Sequence, residues 1–150
     1  MPVSNEETAY DEIMGAVKTA WDAGADTSGV TLLWEGVAGE RPTAPQTGKP
    51  GTVEAWGWAQ FRHDDGGLAT FGAEGSKRYR REGLLTVQVF APLTDGLTKA
   101  HKIARIVVEG LEGTRTAGGV VFRRVRPVEV GHDGPWFQLN IYAGVEYHII

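Results

Sequence analysis

The chain of 150 residues contains no cysteine, so no disulfide can brace it and no thiolate can serve as nucleophile or zinc ligand. It has no apolar run approaching the ~20 residues that a membrane-crossing helix needs. The opening Met1-Pro2-Val3-Ser4-Asn5-Glu6-Glu7 lacks the basic and apolar regions of a signal peptide. The protein is therefore expected to be intracellular, neither secreted nor inserted in a membrane. A surplus of positive charge is missing too: 15 Lys and Arg stand against 19 Asp and Glu, for a net charge of −4, which speaks against general affinity for nucleic acid. There is no internal repeat and no low-complexity tract. What remains is an ordinary globular composition, 41% hydrophobic and 23% charged, at a length suited to one domain with one core.

The familiar short motifs are missing as well. Thr47-Gly48-Lys49-Pro50 hints at a phosphate loop, but Thr43 stands where that motif needs glycine and Pro50 where it needs Ser or Thr. Gly72-Ala73-Glu74-Gly75 does not complete a dinucleotide fingerprint and precedes a strand pattern instead of opening a helix. His63-Asp64-Asp65 offers ligand types without a second cluster to close a metal shell. Ser4, Ser28 and Ser76 sit in no nucleophile elbow. His63, His101, His132 and His148 are dispersed, so a small hydrolase using a histidine and a carboxylate survives only as an alternative. No cofactor or metal site is expected.

What is present is periodicity. Ser4 and Glu7 have capping-box spacing, and Tyr10, Ile13, Met14, Val17, Ala20 and Trp21 fall on one helical face, predicting an amphipathic helix over 5–23 ended by Gly24. Residues 30–34 read as a strand. Pro42, Pro45 and Pro50 with Gly36, Gly39, Gly48 and Gly51 predict a long loop at about 36–52, of a length that is usually functional or mobile. A strand follows over 54–63, with Trp56, Trp58, Gln60 and Arg62 on one side. Asp64-Asp65-Gly66-Gly67 reads as a turn. Alternation predicts another strand over 79–91, ended by Pro92. Thr94 or Asp95 can cap a second helix, whose apolar arc is Leu97, Ala100, Ile103, Ala104, Val107, Val108 and Leu111. Strands over 120–130 and 136–149, joined by a turn at 131–135, complete the order α-β-β-β-α-β-β. The expected fold is α+β: a mostly antiparallel or mixed sheet with two helices packed on one face.

Charge is unevenly placed. Residues 1–40 carry eight carboxylates and only Lys18, whereas Lys77, Arg78, Arg80, Arg81, Arg123, Arg124 and Arg126 hold seven of the 15 basic groups. Clustered arginines suit subunit contacts or, as an alternative, a nucleic-acid-binding module. Trp56 and Trp58 can be core or interface. The acidic helix with Glu6, Glu7, Asp11 and Glu12 is expected to lie away from the strand bearing Lys77–Arg81.

The N-terminal amphipathic helix before Leu32-Leu33-Trp34-Glu35-Gly36, the proline-rich loop, Arg81-Glu82-Gly83-Leu84-Leu85-Thr86-Val87-Gln88-Val89-Phe90-Ala91-Pro92, the single helix after Gly96 and the closing hairpin ending Gly144-Val145-Glu146-Tyr147 together form a pattern. This pattern resembles the tail terminator family of long-tailed bacteriophages over essentially all 150 residues. The resemblance implies a non-enzymatic virion subunit without cofactor, assembled in the host cytoplasm into a hexamer at the head-proximal end of the tail. Such a ring caps the tail tube, ends tail polymerisation and offers a surface to the neck or connector protein, with DNA at most passing through its lumen. Another neck or tail-tube component is the neighbouring alternative. Arg78, Arg80 and Arg81 are expected at contacts with a neighbouring subunit or the tube, and Trp56, Trp58, Arg123, Arg124 and Arg126 are further interface candidates.

Overall fold

A computed structural model describes residues 5–24, 27, 30–36, 55–68, 77–92 and 96–149. The elements are α1 (Glu6–Ala23), β1 (Thr31–Trp34), β2 (Trp56–Leu68), β3 (Tyr79–Pro92), α2 (Gly96–Leu111), β4 (Val121–Asp133) and β5 (Trp136–Ile149), in the order expected. The strands form one mixed sheet, β1-β2-β3-β5-β4, in which β1 runs parallel to β2 and the other pairs are antiparallel. No helix among the described residues is long and apolar enough to cross a membrane.

α1 begins where Asn5 Oδ1 accepts the Thr8 backbone N–H at 2.8 Å, an N-cap that satisfies a donor left over at the helix start. Ser4 of the expected capping box lies outside the described residues, as do Thr94, Asp95, the segment 37–54 holding most of the proline-rich loop, and 69–76. Ala9, Ile13, Val17 and Trp21, four residues apart, form the buried stripe of α1. Trp21 ties this helix to the sheet. Its indole donates to the Val30 carbonyl at 2.9 Å, and its ring lies over Gly57, where a Cβ would come within 2.6 Å of it. Close packing also joins the helices, since a Cβ on Gly110 would meet that of Ala20 at 2.4 Å.

Both helices contribute to one core with the inner face of the sheet. Leu85, Val87, Val89 and Ala91 of β3 and Phe137, Leu139, Ile141, Ala143, Val145 and Tyr147 of β5 alternate inward and are buried. Full burial of one such aliphatic side chain contributes about 1.5–3 kcal/mol. Ala100, Ile103, Ala104, Val107 and Leu111 of α2 join them. Leu97 does not: it is 47% exposed, one turn before Ala100, the first α2 residue to reach the core, and Val108 is only half-buried.

Two element boundaries and one contact differ from the sequence expectation. Asp64-Asp65-Gly66-Gly67 is not a turn, because β2 continues to Leu68 against Arg81, Arg80 and Tyr79 across an irregularity between His63 and Asp65. Ladder bonding to a long β3 outweighs the local turn preference of these residues. Similarly β4 extends to Asp133, leaving Gly134-Pro135 as the turn. Finally, α1 and the arginine-rich strand are not apart: Arg81 Nε lies 2.9 Å from Glu6 Oε1. The helix layer lies over β3 and β5, so the start of α1 comes to the beginning of β3.

Candidate functional site on the outer face of the sheet

The outer face changes character along its length. At one end Trp56, Phe90 and Trp136 are buried together, with Leu33 and Trp58 packed against them. The Trp56 and Phe90 rings stack at 4.2 Å and Trp136 meets Trp56 edge-on at 6.2 Å, geometries that aromatic quadrupoles favour. Trp56 therefore serves the subunit's own packing, while Trp58 is half-buried at the margin of the cluster. The middle of the face is polar. Gln138 Nε2 donates to Asn140 Oδ1 at 3.0 Å, and Asn140 Nδ2 donates to the Tyr142 hydroxyl at 2.9 Å.

Beyond Tyr142 lies a cleft of about 380 Å³ with Leu84 and Gly144 among its lining residues, Arg123, Arg124 and Arg126 on one side, and Asp64, Glu82 and Glu146 also contributing. A bulge builds this arrangement. Arg123 faces Gly144 and Arg126 faces Tyr142, so β4 holds one residue more than β5 there. Without it, alternation would turn Arg126 inward and Val125 outward. With it, Val125 packs against the main core and all three arginines border the cleft. The extra residue leaves Arg124 at φ 54°, the only non-glycine residue with positive φ among those described. Strain of this kind, on the order of 1–3 kcal/mol, tends to gather at functional positions.

The arginines are engaged unequally. Arg123 lies 3.8 Å from Glu146, while Arg126 donates to the Arg124 carbonyl at 2.9 Å and stands 5.5 Å over the Tyr142 ring. The Arg124 guanidinium is exposed and makes no ion pair or hydrogen bond among the described residues. In the other basic run Arg80 pairs with Glu82 at 3.4 Å and Arg81 with Glu6, while Arg78 is exposed ahead of β3. The Arg81 guanidinium holds the Glu6 carboxyl below the usual carboxylate range.

Among the described residues, His101 and His63 make separate contacts. His101 meets Glu129 at 3.0 Å, with both side chains about half exposed at the surface. His63 hydrogen-bonds the Tyr147 hydroxyl, and burial, with the nearby Glu6 charge, pushes that phenol up to about 12. Among the described residues no three His, Asp or Glu gather closely enough to hold a metal ion. A contact that sequence reasoning missed belongs to Glu12, whose carboxylate accepts from Thr116 Oγ1 at 2.8 Å and the Gly118 amide at 2.9 Å. That bond pins the turn before β4 to α1 across more than a hundred residues of chain, a separation that local pattern cannot signal.

No family model matches the chain, and no curated protein matches it. Among solved structures, one of a protein whose name states no function aligns over 95% of both chains with a TM-score of 0.65 and 15% identity. What is shared is a fold. A chain from the virion of a native gene transfer agent particle aligns over 93% of this chain and 96% of that one, with a TM-score of 0.49 and 13% identity.

Proposed function

We propose that this protein is a non-enzymatic structural subunit of a phage or phage-like virion, and that copies of it form a ring, hexameric by the family resemblance, on the end of the tail tube. The ring stops tube growth and presents a surface to the neck. The observation that carries the proposal is the outer sheet face, where a strained bulge holds exposed arginines around a cleft on the side away from the helices. Residues placed this way do little for the subunit's own core and suit repeated contact with other chains. The sequence resemblance to tail terminators supplies the kind of assembly. The carboxylates that share the cleft make it a poorer site for nucleic-acid phosphates than for a protein surface.

The test is direct. Purified full-length protein, examined by light scattering and negative-stain microscopy, should form rings, and adding it to polymerising tail-tube protein should shorten the tubes. Single subunits at every concentration together with unchanged tube length would overturn the proposal. Tight, salt-sensitive DNA binding lost on replacing Arg123, Arg124 and Arg126 would put a nucleic-acid role in its place.

A further inference from the structure

We infer that the Arg124 side of the cleft receives the Glu7 and Asp11 face of α1 from a second copy of this chain, so that the sheet of one subunit meets the helix layer of the next. The inference rests on the ring assembly proposed above and names the contact that would close it.

The carboxylates of α1 divide into two groups. Glu6 is held by Arg81, Glu12 by Thr116 and Gly118, and Asp22 by Lys18 at 3.0 Å. Glu7 and Asp11 are exposed and make no ion pair or hydrogen bond among the described residues. Glu7 lies in the first turn, where it opposes the helix dipole favourably. Asp11 lies beyond that turn, and like charges at i and i+4 disfavour a helix by a few tenths of a kcal/mol, so the pair is better explained by a cation supplied from elsewhere.

The signs match: Glu7 and Asp11 present two carboxylates one helical turn apart, and Arg124 and Arg126 present two guanidinium groups on the same side of the cleft, so they can meet as charge-assisted pairs. Of the acidic groups lining the cleft, Glu82 and Glu146 are already engaged by Arg80 and Arg123. Asp64, also lining the cleft, repels a helix placed across its full width and confines the carboxylates to the β4 side. Because the two patches lie on opposite layers of the domain, the contact is head to tail and generates a ring where the rotation closes.

Charge reversal on the full chain tests this. Arg124→Glu with Arg126→Glu, and separately Glu7→Arg with Asp11→Arg, should each raise the concentration for half-assembly by about tenfold or more, with circular dichroism unchanged. An equimolar mixture of the two double variants should co-assemble, since each then meets an opposite charge, and the fourfold variant should assemble by itself. If a reversal disturbs folding, Arg124→Ala and Asp11→Asn should each still give about a threefold rise. Double variants that assemble like the wild type, or a mixture that stays apart, would overturn this contact and leave the ring standing. A wild-type chain that never self-associates would overturn both.

Discussion

On β5 the residues pointing toward the helices, Phe137, Leu139, Ile141, Ala143, Val145 and Tyr147, are all buried, whereas those pointing away pass from Trp136 through Gln138, Asn140 and Tyr142 to Glu146. The same strand thus carries a uniform face and a graded one. The inner face is uniform because two helices lay apolar stripes along it, and any polar side chain there would need a partner or remain unsatisfied. The outer face meets no helix among the described residues and can vary: an aromatic cluster at one end, a polar ladder in the middle, a charged cleft at the other. Buried apolar packing is concentrated on the first face and exposed charge on the second.

Several substitutions would sharpen or break this division. Ile141→Ala opens a cavity between the sheet and the helices and should cost about 3–4 kcal/mol in chemical denaturation. Phe90→Ala, in the smaller outer cluster of Trp56, Phe90 and Trp136, should cost about 2–3 kcal/mol, because water can enter that site more readily. Equal losses would mean that the outer cluster is as much a core as the inner one.

Two smaller effects depend on pH. Tyr147, held up to about 12 by burial, binds its proton more tightly in the folded than in the unfolded chain. Its contribution is present below the ordinary tyrosine range near pH 10 and is lost as pH rises toward 12, by up to about 2 kcal/mol. Tyr147→Phe should flatten that alkaline loss in melting temperature measured from pH 9 to 12. For Glu6 the sign reverses. Its lowered pKa beside Arg81 means stability present above the ordinary carboxylate range and lost as pH falls below it. The pair is partly exposed, so Glu6→Gln should remove less than about 1 kcal/mol at neutral pH.

The smallest expected effect is a gain. Arg124→Gly relieves a left-handed residue but adds backbone freedom to the unfolded chain, and the net should be a stabilisation of about 0.5–1 kcal/mol by denaturation. A subunit that becomes sturdier and assembles less well would place Arg124 on the contact side of the comparison. Destabilisation would mean that its side chain supports the fold.

Sequence alone determined the order of elements, both helices and the inward faces of β3 and β5, because periods of 3.6 and 2 are written in the apolar residues themselves. It also placed β5 at 136–149. Only the tertiary structure decided that Asp64–Leu68 would extend a strand, since the ladder offered by Tyr79–Arg81 overrides a local turn signal. It alone joined Glu6 to Arg81 and Glu12 to Thr116, pairings across about 75 and 104 residues that no local window contains. The Arg124 bulge lies between these cases: Phe122 and Val125, three apart in a strand that should repeat every two, were its trace in the sequence, but an extra residue is identifiable only once a partner strand fixes the register.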